Sequence, residues 1–179
     1  MRILRRTILG IDIYDMLRMM KKGREEEAKT LSKMSQSNKK MRVLLFFGLS
    51  KAGKTTLITR LMGYKMKKIK MEGIYTIQPE NPEKMKKEHK ELVIGYSNRS
   101  TTRYPKLYRV PDDCLPEDDD EKDDYATFCM DSAGLEDSAG LEVEGSNRIT
   151  MIELLKKIDK LQIVVVINQK NWGVRGADI

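Results

Sequence analysis

Eight consecutive residues carry the clearest chemistry in this chain: Gly48-Leu49-Ser50-Lys51-Ala52-Gly53-Lys54-Thr55. Two glycines with four residues between them, followed at once by Lys and Thr, form the spacing with which a short loop curls around a phosphate, its N–H groups pointing inward. Lys54 then brings a point charge to the outer phosphates of a nucleotide. Thr55 opens a helix whose positive end faces the same anion, and its hydroxyl is placed to ligate a magnesium ion shared with the phosphates. The binding set is therefore Gly48, Leu49, Ser50, Lys51, Ala52, Gly53, Lys54 and Thr55, with Thr56 next along the helix.

Such a loop must be held between a strand and a helix, and the flanking residues supply both. Val43 to Phe47 is an unbroken apolar run, as in a strand buried on both faces. Thr56 to Met62 has apolar residues at helical spacing and is closed by Gly63. A glycine-rich turn that binds nothing would need none of this context.

A second constellation lies downstream. Tyr125 to Met130 reads as a strand and ends in Asp131-Ser132-Ala133-Gly134. In phosphate-loop enzymes an Asp at the end of a neighbouring strand reaches the magnesium ion, and a glycine three residues later can bond the terminal phosphate and report its loss. The hexapeptide from Asp131 to Glu136 recurs as Asp137 to Glu142. Only one copy can stand at the strand end, and Asp131, which directly follows the apolar run, is assigned the metal role. Earlier, Tyr96 to Pro105 is polar, hydroxyl-rich and closed by proline, as suits a surface loop.

In order, a strand, phosphate loop, helix, hydroxyl-rich loop, two strands, Asp-x-x-Gly, helix and strand resemble the small GTPase-like domains. The likeness is closest to the branch of immunity-associated GTPases, septins and dynamin-like proteins. The fold this implies is α/β, a Rossmann-like three-layer P-loop NTPase G domain. Ser100-Thr101-Thr102 is similar to the Ser-x-Thr of the family's first switch, which makes Thr102 the magnesium-ligating threonine, with Thr101 the alternative. Asp131 to Gly134 resembles its Asp-Thr-Pro-Gly. The resemblance implies GTP or GDP and Mg2+ as cofactors, Lys54 and Gly134 as the residues serving catalysis, and Thr55, Thr102 and Asp131 as metal-side ligands.

Two positions depart from the pattern. Leu135 stands where Ras-like enzymes place the glutamine that orients the attacking water, so unaided hydrolysis is expected to be slow and completed by a partner or by pairing of two G domains. Asn168-Gln169-Lys170-Asn171 lacks the Asp of the base-reading Asn-Lys-x-Asp and reads as an ordinary strand-end loop. The domain is thus expected to be C-terminally incomplete, either a fragment or a reduced domain. An ATP-using phosphate-loop protein and a non-catalytic interaction module stand as the alternatives to a GTP-binding switch.

The other segments set bounds. The 179 residues allow one domain, expected over 41–179, and an extension over 1–40. Residues 1–70 carry 19 Lys and Arg against 5 Asp and Glu, and residues 71–179 carry 15 against 22. The basic end, without interleaved aromatics, could face an anionic membrane or an acidic protein effector; no nucleic acid is expected. Ile8, Ile11, Leu17 and Met20 suit one face of a short helix, continued by Arg24 to Lys29, and Ser32 to Lys40 reads as a linker. Cys114 and Cys129 lack metal or redox spacing, which makes a reducing, cytoplasmic setting the default. Tyr64 to Leu92 is expected to be irregular or partly helical, with a short helix over Lys84 to Leu92 that carries a solvated His89. Glu117 to Asp124 is expected to be a solvated acidic hairpin loop between a strand at Lys106 to Val110 and the next. A helix over Arg148 to Leu161 and a strand over Ile163 to Ile167 complete the reading.

Overall fold

The computed structural model describes residues 7–8, 11–34, 39–95, 104–117, 120–121, 123–132, 134 and 141–168. The chain opens with two short paired strands, β1 (Thr7–Ile8) and β2 (Ile11–Asp12), and a 22-residue helix, α1 (Ile13–Met34). The buried strand β3 (Lys40–Phe47) leads through the glycine-rich loop into α2 (Lys54–Leu61). A hairpin of β4 (Met66–Met71) and β5 (Ile74–Pro79) follows, then β6 (Lys106–Arg109), β7 (Tyr125–Asp131), α3 (Leu141–Leu155) and β8 (Lys160–Val165).

The main sheet has the order β6-β7-β3-β8, with β3 parallel to both β7 and β8 and β6 antiparallel at one edge. Alternation along β3 feeds two cores. Val43 and Leu45 join Phe128, Met130 and Leu154 on the α3 side, while Phe46 joins Ile58 of α2 and Met62 just after it on the other. The result is helix, sheet, helix: the mixed α/β layering of a P-loop GTPase fold. Helix α1 lies on α3 closely enough that a Cβ at Gly23 would fall 2.6 Å from Thr150 Oγ1.

Several expected boundaries move. The first helix begins at Ile13 and runs to Met34, so Ile8 and Ile11 fall in the short strand pair and Ser32 lies inside the helix, its hydroxyl bonded to Lys29 O. Helix α3 stops at Leu155, and β8 begins at Lys160, three residues before the expected strand. Lys160 pairs in register with Arg42, and its ammonium meets Glu121, which recruits a residue that helical spacing had assigned to the preceding helix. Within the acidic segment, Glu121 is not simply solvated: buried Arg42 reaches it at 3.5 Å while donating to Thr127 Oγ1 at 2.8 and 3.0 Å.

The largest correction concerns residues 64–92. The irregular excursion is a hairpin, turned by Glu72 and Gly73 with φ of 50° and 84°, the two successive positive angles of a tight type I′ turn. The expected helix over Lys84 to Leu92 is instead two single turns, Pro82–Lys84 and Lys87–His89. His89 is not solvated but 1% exposed. Its Nδ1 and the Tyr64 hydroxyl share a hydrogen bond at 2.9 Å, and that hydroxyl accepts from Lys86 N–H at 3.0 Å. Tyr64 and Tyr108 meet the imidazole edge-on. Burial holds its pKa below the usual histidine value.

Candidate phosphate site

Strands β3 and β7 are parallel neighbours in register, Phe46 opposite Asp131, so the residues that follow them emerge at the same end of the sheet. Carboxyl ends of adjacent parallel strands are where an open α/β sheet leaves a crevice. The Ser132 hydroxyl donates to Phe46 O at 2.8 Å and ties the two strand ends together. Sequence reasoning passed over Ser132; its place immediately after the strand end was the only signal.

Within the loop, Ala52 N–H donates to Leu49 O at 3.2 Å, closing a tight turn. Lys54, 6% exposed, folds back over it, its Nζ donating to Gly48 O at 3.1 Å and Leu49 O at 2.9 Å. The ammonium is thereby held at the mouth of the loop. Residues Lys54, Thr55 and Thr56 form the first turn of α2, whose N–H groups project along the helix axis without intrahelical acceptors. Leu49, Ser50, Lys51, Ala52 and Gly53 are the rest of the wall. Two glycines are required by close approach: a Cβ at Gly48 would fall 2.2 Å from Val166 O, and one at Gly134 would fall 2.3 Å from Ser50 N.

Thr55 and Asp131, 76 residues apart, meet directly. The Thr55 hydroxyl donates to the carboxylate at 3.0 Å (Oδ2) and 3.3 Å (Oδ1), and Asp131 is 3% exposed. Asp131 also pushes the thiol of buried Cys129 upward; together with burial, the larger cause, this raises its pKa to about 12 and leaves it inert. The structure thus brings together Lys54, Thr55, Asp131 and Gly134. Thr102, with Ser100 and Thr101, lies outside the described residues, as do Leu135, Asp137, Gly140 and residues 169–171.

The donor set fits a hard divalent cation: one hydroxyl and one carboxylate, both oxygen, stand beside a loop built for phosphate. Among the described residues, no group of three or more His, Cys, Asp or Glu could hold a metal ion. Thr55 and Asp131 would leave most positions of such a cation to other ligands, phosphate and water among them. Also among the described residues, no helix is long and apolar enough to cross a membrane.

The sequence profile of the ADP-ribosylation factor family matches residues 27–95, less than half of the chain. The match indicates a small GTPase of the P-loop class and supports a GTP-binding switch protein. No curated protein and no solved structure matches significantly. The immunity-associated, septin and dynamin-like branch finds no support in these comparisons. The matched stretch contains the loop but ends before Asp131, so the meeting of Thr55 with Asp131 is a separate observation from the fold.

Proposed function

We propose that this chain is a magnesium-dependent GTP switch whose unaided hydrolysis is slow. The observation that carries the reading is the Thr55–Asp131 contact at the mouth of the loop, where hydroxyl and carboxylate sit together beside a caged lysine. Lys54 and the amides of residues 48–56 hold the phosphates. Thr55 and Asp131 supply oxygens for a magnesium ion that would neutralise phosphate charge, and Thr102 is the residue assigned as its further ligand. Gly134, packed on the loop at Ser50, is placed to register the extra bulk of a terminal phosphate. Leu135 cannot orient water, so rapid turnover requires a group from a partner or from a second copy of the domain.

Calorimetric titration tests this. GTP and GDP should bind in the presence of magnesium, ATP should compete poorly, and Lys54→Ala should weaken binding about 10- to 100-fold or more. Single-turnover hydrolysis should be slow in dilute protein and faster with an effector or at high concentration. Unmeasurable GTP affinity in the unaltered protein refutes the reading, and preference for ATP reassigns the base.

A further inference from the structure

The β4–β5 hairpin pairs only with itself among the described strands, apart from the sheet whose strand ends carry the loop and Asp131. Its two faces differ. On one, Ile69, Met71, Thr76 and Gln78 are half-buried, and Gln78 Nε2 donates to Ile94 O at 2.9 Å, pinning the hairpin to its own domain. The register places Lys68 opposite Ile77 and Lys70 opposite Tyr75 on the other face, and all four are exposed, Tyr75 at 65% and Ile77 at 48%. An outward sheet face is ordinarily polar. This one alternates cation with apolar body, and Lys68 Nζ lies 4.5 Å from the Tyr75 ring centroid.

We propose that this face docks on the surface of an anionic phospholipid bilayer. Charge complementarity makes the first part of the case: Lys68 and Lys70 stand on this face, Lys65 and Lys67 lie beside it, and the single acid of residues 65–79, Glu72, sits in the turn. The identity of the cations makes the second. All four are lysines, whose compact, strongly hydrated ammonium groups suit a diffuse layer of phosphates; protein interfaces enrich arginine and deplete lysine. The apolar residues make the third. Tyr75 has the ring-and-hydroxyl build that settles at the headgroup boundary, and Ile77 offers aliphatic surface of use to acyl chains but not to a nucleic-acid backbone.

Co-sedimentation of the full chain with vesicles tests the proposal, using phosphatidylcholine alone against phosphatidylcholine with about one-third phosphatidylserine at about 0.1 M salt. The protein should pellet with the mixed vesicles only. Lys68→Glu with Lys70→Glu should lower the bound fraction about tenfold or more, and Tyr75→Ser with Ile77→Ser should lower it in a way that added salt does not mimic. All four positions are exposed, so the variants should keep their circular dichroism and nucleotide affinity. Retained vesicle binding in both hairpin variants overturns the proposal and moves the contact to the basic N-terminus. So does an absence of vesicle binding in the unaltered protein, or a loss in the charge-reversed variant of binding to a single-stranded oligonucleotide or an acidic peptide in place of vesicles.

Discussion

Gly134 lies so close to the backbone of Ser50 that a single methyl group at residue 134 would fall 2.4 Å from the Ser50 Cα. The obstacle is main chain, not the end of a flexible side chain, so it cannot swing aside. Gly134→Ala should therefore push the loop and the segment after β7 apart. We expect nucleotide affinity to fall about tenfold or more, the equivalent of about 1.4 kcal/mol per decade, with only a modest drop in melting temperature. Titration of GTP and GDP alongside a thermal melt separates the two effects.

Lys54 gives a different signature. Its ammonium is bonded to two loop carbonyls, and both can hydrate once it is gone. Lys54→Ala should cost little stability, yet remove a charge-assisted contact to phosphate worth roughly 1.5–3 kcal/mol, about a 10- to 100-fold loss of affinity or more. Lys54→Arg should not restore it, because the planar fork does not fit a pocket shaped for one point charge.

The Thr55–Asp131 pair predicts a magnesium phenotype. Chelation by EDTA should weaken nucleotide binding to the unaltered protein, and should have less effect on Thr55→Ala or Asp131→Asn, each of which already lacks one of the cation's protein ligands. Because the two side chains touch, the double variant should be less impaired than the sum of the singles. A magnesium titration of each variant against a fluorescent nucleotide gives the cycle directly.

His89 is the sole histidine of the chain. Burial depresses its folded-state pKa below the ordinary histidine value of about 6.5, so the unfolded chain binds the extra proton more readily. Stability from the neutral imidazole is therefore complete above about pH 6.5 and is lost as pH falls through the folded value. The melting temperature should drop between pH 7 and pH 5. His89→Gln, which keeps a polar group without titrating, should flatten that drop, and His89→Ala should cost roughly 2–3 kcal/mol at pH 7 through a cavity and the loss of one of the two hydrogen bonds of the Tyr64 hydroxyl.

The parts legible in sequence were those whose signal is local. Val43 to Phe47 is apolar without interruption because β3 is covered on both faces, and the loop that follows is fixed by glycine spacing. The hairpin was illegible because its outward face carries Ile77 and Tyr75 where alternation calls for polar residues, which erased the period of two. The Glu72-Gly73 turn between apolar runs was the signal that remained. His89 read as solvated because its partner, Tyr64, lies 25 residues earlier, beyond any sequence window. The end of α3 was misplaced because Ile158 keeps the helical period after the helix has stopped; it packs beneath the sheet from a loop.

The β6–β7 ladder begins with Lys106 set opposite Asp131. Tyr104 and Pro105, which lead into that rung, are thus joined to the strand that carries the carboxylate facing Thr55. A tug on the chain at Pro105 arrives at the cation side of the pocket through a single ladder, so whatever grips it from outside also has a hand on how firmly the nucleotide is kept.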